Sequence, residues 1–210
     1  NHIPSAYLNE HVNISTDIKN IFSIAEKVIM NSRFTYDIYS KYFDSSNFVL
    51  SYPNDYKIQR EIMNVPEIKD GCINIGIFSP LSKFKGERYV NYLRNKYESE
   101  HLRFHIVGQN IPPYKETEFF EHIRKYNING FLLLNEWGET YCYLLTKIIN
   151  SGLPLLYNNF GAIKERIDSN REHYFKVFDD ESDYDIMIYN NNNKQILIDK
   201  LNENKKNHII

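Results

Sequence analysis

"GFLLLNEWGETYCYLLTKIINSGLPLLYN", Gly130–Asn158, decides how this chain reads. Phe131–Leu134 is a short unbroken apolar run behind a glycine, the pattern of a strand covered on both faces. A polar loop, Asn135–Thr140, follows it. The spacing then predicts a helix over 141–151, with Tyr141, Leu144, Leu145, Ile148 and Ile149 as its inward stripe. Gly152 fits the helix C-terminus, and Pro154 prevents continuation. "PLLYN" reads as the next strand, so the unit is a crossover between parallel strands.

The same rhythm extends outward. "CINIGIFS" (72–79) and "LRFHIVG" (102–108) read as strands. "KGERYVNYLRNKY" (85–97) reads as a helix with Tyr89, Val90, Leu93 and Tyr97 along one face, and "KETEFFEHIRKYN" (115–127) as one with Phe119, Phe120 and Ile123 inward. Downstream, "GAIKERID" (161–168) is a helix and "HYFKVF" (173–178) a strand. This alternation predicts an α/β fold, a Rossmann-like parallel sheet with helices on both faces. Before it, "DIKNIFSIAEK" (17–27), with Ile18, Ile21, Phe22 and Ile24 at helical spacing, and "RFTYDIYSKYF" (33–43) read as helices. "VIMNS" (28–32) is a strand running into a turn, and "NFVLSYPND" (47–55) a strand stopped by Pro53-Asn54-Asp55. Residues 1–14 read as irregular and the polar stretch 56–70 as a linker, which divides the chain into 1–68 and 69–210. The acidic, Asn-rich stretch 179–192 belongs to the surface, and 194–206 reads as an exposed amphipathic helix.

Composition removes several classes of function. With 25 Lys and Arg against 27 Asp and Glu, the net charge of −2 makes no case for nucleic acid or an anionic membrane as partner. No apolar run reaches the roughly 20 residues of a transmembrane segment, and "NHIPSAYLNE" lacks the regions of a secretory signal. A cytoplasmic location is expected, with Cys72 and Cys142 as reduced, buried thiols. The 7 histidines are scattered without HExxH or paired Cys/His spacing, so no metal site is expected. GxSxG, P-loop and GxGxxG patterns are absent.

Ligands of an open parallel sheet bind beyond the carboxyl ends of the strands. That selects the loops Ser79–Glu87, Gly108–Tyr114, Asn135–Thr140 and Asn158–Ala162. The third is the most informative. Free N–H groups at the helix start, near Thr140, Tyr141 and Cys142, make an anion pocket. Glu139 beside them is either an acceptor for a sugar's vicinal hydroxyls or simply a first-turn acid favoured by the helix dipole. Lys83 and Lys85, ahead of Gly86, either supply charge for a diphosphate or are solvated. Trp137 either lines a bound sugar or packs. Positions 139 and 147 lie about 12 Å apart on one side of an ideal helix, a span suited to an elongated sugar–diphosphate–ribose ligand.

These residues, in this order, resemble the donor-binding signature of retaining GT-B-fold glycosyltransferases of the large family 4 group. "NEWGETYCYLLTKIINSGLPLLYNNFGAIKERI" matches it at Glu139, Tyr141, Gly152, Pro154, Gly161 and Glu165. "IFSPLSKFKG" resembles the loop that opens the same domain, "RFHIVG" its next strand, and "KVIMNSRFTYDIYSKYF" with "PND" the passage from the first domain into the second. The resemblance covers roughly residues 20–170. It implies transfer of a sugar from a nucleotide-diphosphate sugar with retention, and no metal or other cofactor. Glu139 would hold the donor sugar's hydroxyls, and Lys83 or Lys85 with the following amides would hold the phosphates. Two features depart from the pattern. The second acid, which in the family contacts the ribose, is Lys147 here. Only the end of the N-terminal acceptor-binding domain is recognisable, so a C-terminal piece of a longer enzyme or a trimmed chain is expected. The acceptor, glycan, lipid or protein, is a property of that missing domain. The alternatives are a non-catalytic nucleotide-sugar-binding or scaffolding module, and a related GT-B enzyme such as an epimerase or phosphorylase.

Overall fold

A computed structural model describes residues 16–53, 71–153, 155–158, 161–168 and 175–177. The expected irregular start, the linker from 56, Pro154, the acidic stretch and the C-terminal helix lie outside the described residues. The larger part is a five-stranded sheet in the order β4-β3-β5-β6-β7, and all its pairings are parallel. Its strands are β3 (Ile73–Ile77), β4 (Leu102–Ile106), β5 (Gly130–Leu133), β6 (Leu155–Asn158) and β7 (Phe175–Val177). The connecting helices are α3 (Glu87–Tyr97), α4 (Phe119–Lys125), α5 (Tyr143–Ser151) and α6 (Gly161–Asp168).

Both faces of the sheet are covered, as unalternated apolar strands require. Along β5 the side chains divide: Phe131 and Leu133 join a core with Phe119 and Ile123 of α4, Leu145 and Ile148 of α5, and Ile163 and Ile167 of α6. Leu132 and Leu134 join the opposite core with Ile73, Ile75 and Ile77 of β3 and Val90, Leu93 and Tyr97 of α3. Gly76 on β3 faces the first core, where an added Cβ would stand 3.0 to 3.1 Å from Phe78, Ile128 and Phe131. Buried Asn74, beside it in β3, has its N–H donating to Asn129 Oδ1 at 2.8 Å while its carbonyl accepts from Asn129 N.

The smaller part holds α1 (Thr16–Ile24), β1 (Val28–Met30), α2 (Arg33–Tyr39) and β2 (Phe48–Leu50), with β1 and β2 paired parallel. Ser32 caps α2 by accepting from Thr35 N. The apolar residues that the sequence sets at helical spacing along α1 are only partly covered. Phe22 stacks on Phe43 at 4.1 Å, whereas Ile18, Ile21 and Ile24 are exposed. The physical reason is the layer beneath: among the described residues, two short strands offer too little surface for the whole stripe.

Candidate functional site

Strand β3 has β4 on one side and β5 on the other, and the chain reverses its direction of travel there. The loop after β3 leads into α3 on one face, and the loop after β5 into α5 on the other. Diverging loops at such a point leave a crevice at the carboxyl edge. The first loop contains a 3-10 turn, Lys83–Lys85, and then Gly86 at φ 75. A Cβ on Gly86 would come within 1.9 Å of Leu134 O, so only glycine lets this turn lie against the end of β5. Glu136 N donates to Phe84 O at 3.0 Å and Arg88 pairs with Glu136 at 2.9 Å, tying the two loops together.

Across this junction Lys85 Nζ pairs with Glu139 Oε1. Asn135 Nδ2 donates to the same oxygen at 2.8 Å. Glu139 also accepts, through its backbone carbonyl, from Ala162 N at 3.1 Å. The Glu139 side chain is 18% exposed and that of Lys85 37%, so the carboxylate is the fixed partner and the lysine the movable one. Lys83 is exposed, and among the described residues it makes no ion pair. Of the two candidate lysines, Lys85 is the one brought to Glu139.

The helix after the loop begins at Tyr143, two residues later than the periodicity predicts. Cys142 stands at its N-cap with φ 66 and ψ 81, a left-handed conformation uncommon outside glycine. Buried Arg166 of α6 accounts for it: Nη1 donates to Tyr141 O at 3.0 Å and to Cys142 O at 2.8 Å, and Nη2 to Thr146 Oγ1 at 2.6 Å. Its guanidinium also lies 3.9 Å from the centre of the Tyr141 ring. In a trans peptide the carbonyl and the following N–H point opposite ways. Holding these two carbonyls therefore turns the amides of Cys142 and Tyr143 away from Arg166. Burial pushes the Cys142 thiol up to about 11, with the Glu139 charge adding to the rise and Lys85 and Arg166 opposing it.

Tyr141 and Cys142 are buried, Thr140 is exposed, and Trp137, 48% exposed, packs edge-on against Phe84 at 5.5 Å. The smaller part of the chain reaches the same loop. Asn31 Nδ2 lies 3.4 Å from Thr140 Oγ1, and an added Cβ on Gly138 would meet the Phe34 ring at 2.4 Å. Glu165 secures that contact by accepting from Arg33 N and Phe34 N at 2.9 Å each and from Tyr52 OH at 2.6 Å. The carboxylate so occupies the N-terminus of α2. Lys147 turns elsewhere: its Nζ pairs with Glu116 at 2.8 Å and sits over the Phe119 ring at 5.7 Å. Residues 139–142 precede the helix, so the ideal-helix span from 139 to 147 does not describe this chain. Asn135 and Arg166 escape the reading of the sequence. Arg166 was findable, since it follows Ile163 by three and precedes Ile167 by one on the inward side of its helix.

No protein-family model and no curated protein matches the chain. Solved structures do. The crystal structure of TarM is similar over 92% of this chain and 42% of its own, with 14% identity and a TM-score of 0.58. A GtfA/B complex chain matches over 90% of this chain and 44% of its own, with 14% identity and a TM-score of 0.47. Both are glycosyltransferases. By its likeness to TarM the chain has a glycosyltransferase-like fold of the GT-B kind, and it spans less than half the length of either neighbour. Among the described residues no helix is long and apolar enough to cross a membrane, and no three His, Cys, Asp or Glu side chains group as metal ligands.

Proposed function

We propose that residues 69–210 form the donor-binding domain of a retaining, metal-independent glycosyltransferase, and that residues 1–68 end its acceptor-side domain. The observation that carries this reading is the meeting of Lys85 with Glu139 at the reversal point of the sheet, beside the first turn of α5. The donor is a nucleotide-diphosphate sugar. Its sugar hydroxyls donate to Glu139, a carboxylate already fixed by Asn135. Its diphosphate takes Lys85 and the amides of Cys142 and Tyr143, which Arg166 turns away from itself. When the bond between the anomeric carbon and the diphosphate breaks, negative charge grows on the departing oxygens, and these preset donors stabilise it. Gly86 permits the close approach of the lysine turn, and Trp137 with Thr140 borders the sugar. The acceptor binds to the other domain.

Titration with UDP-, GDP- and TDP-sugars tests the reading. At 100 times its dissociation constant the right donor adds about 2.7 kcal/mol of stability. No thermal shift with any of them refutes it. A second reading, a nucleotide-sugar-binding module without transfer activity, is favoured by Lys147, which is held in an ion pair with Glu116 where the resembled pattern has an acid. Binding without transfer or hydrolysis, in a chain that includes the acceptor-side domain, decides for that module.

A further inference from the structure

We infer that the Lys85–Glu139 pair is an internal competitor for the donor's diphosphate, and that Glu139 thereby makes the site prefer a glycosylated diphosphate over a bare one. The inference rests on the donor-site reading above. Without ligand, Lys85 spends its charge on Glu139. A diphosphate that enters must draw the ammonium across. Glu139 does not follow, because Asn135 Nδ2 and the backbone bond from Ala162 keep it in place. A carboxylate only 18% exposed is then left short of one donor. The hydroxyls of a sugar on the diphosphate fill that deficit, and a bare diphosphate leaves it open. The exchange favours entry of the intact donor. After transfer, Glu139 recaptures Lys85 and helps expel the nucleoside diphosphate.

The consequence runs against intuition: removing a residue of the site tightens binding of part of its ligand. Isothermal titration of inorganic pyrophosphate into the full chain measures it. Glu139→Gln should bind pyrophosphate about three- to fivefold more tightly than the wild type, the size of a partly exposed ion pair, and should bind the nucleotide sugar less tightly. Glu136→Gln is the control. It removes the same charge from the same loop, but its partner is Arg88, and it should change pyrophosphate affinity less than twofold. Equal or weaker pyrophosphate binding by Glu139→Gln overturns the inference, and an equal gain in Glu136→Gln overturns it too, since general repulsion then explains the effect. If Glu139→Gln does not fold, Glu139→Asp, which draws the carboxylate back by one methylene, must shift affinity in the same direction. Absence of pyrophosphate and nucleotide-sugar binding in every variant and in the wild type removes the donor-site reading itself and the inference with it.

Discussion

Replacing Arg166 with methionine tests whether one buried cation sets the backbone at the start of α5. The wild-type guanidinium serves two carbonyls and one hydroxyl, at 3.0, 2.8 and 2.6 Å. Bonds to a charged group contribute about 1.5–3 kcal/mol each, and stranded buried acceptors carry the penalty. Three terms reduce the total. The Thr146 hydroxyl can turn to the carbonyl of Cys142, four residues back. Methionine keeps apolar and sulfur contact with the Tyr141 ring, and the dehydration of the guanidinium no longer has to be offset. The net expectation is a loss of about 2–4 kcal/mol, a large share of a stability on the order of 5–15 kcal/mol. Arg166→Lys keeps the charge but cannot fork across three acceptors, so it should lose about half as much. Urea unfolding is followed by far-ultraviolet dichroism and by the fluorescence of the single tryptophan, Trp137, which stands on the site loop. If Arg166→Met lies within about 0.5 kcal/mol of the wild type, the ordinary range for an unimportant surface change, Arg166 does not hold the left-handed turn. If Arg166→Lys is as stable as the wild type, the geometry of the fork is not what matters.

Gly86→Ala should destabilise by about 3 kcal/mol or more, because its Cβ falls 1.9 Å from Leu134 O, whereas Gly71→Ala, at φ 66 with nothing within 4 Å, should lose only about 1–2 kcal/mol; similar losses in urea unfolding would show that the close approach is unimportant. Glu165→Gln should raise hydrogen exchange at the amides of Arg33 and Phe34 while the amides of β3 stay protected, and unchanged exchange at Arg33 and Phe34 would discount the carboxylate's hold on α2. His105 is held below its ordinary 6.5, first by burial and then by Arg103, against the opposing pull of Glu98. The unfolded chain therefore takes up that proton before the folded one, and stability should fall as pH drops below 6.5, with a shallower slope in His105→Gln. Burial keeps the Cys142 thiol near 11 and covers Cys72, so a disulfide reagent at about pH 8 should label neither until denaturant is added.

The sheet was legible because burial on both faces leaves a simple trace. "FLLL" and "LLYN" have no polar alternation, and in the structure Leu132 and Leu156 face one core while Phe131 and Leu155 face the other. The helices were legible from spacing, and their ends less so. For α1, periodicity reports that a face is apolar and not which segment covers it, and among the described residues Ile18, Ile21 and Ile24 are exposed while Phe22 packs. The start of α5 was misplaced for a different reason. Left-handed backbone is advertised in a sequence by glycine, and this chain places cysteine there, so the turn is written in Arg166, two dozen residues further on.

The candidate site follows the same division. The position of Glu139 is legible, a carboxylate in the loop at a strand's carboxyl end ahead of an apolar helix, whereas its partners Lys85 and Asn135 are set by the fold. Choosing Lys85 over Lys83 required the fold, since the two differ only in which side of a 3-10 turn they leave, and Gly86 at φ 75 fixes that turn against β5. Lys147 makes the same point from the other direction. A lysine on the helix that follows the site reads as a charge aimed at the ligand until its surroundings are known. Here Glu116, from the segment between β4 and α4, already neutralises it, and its side chain is 16% exposed. Lys147 therefore brings no unpaired cation to whatever binds near α5, and on the proposed donor-site reading a phosphate at the crevice would meet Lys85 as its mobile lysine. That is why the competition between Glu139 and the diphosphate for Lys85, rather than total positive charge, should govern affinity at this edge of the sheet.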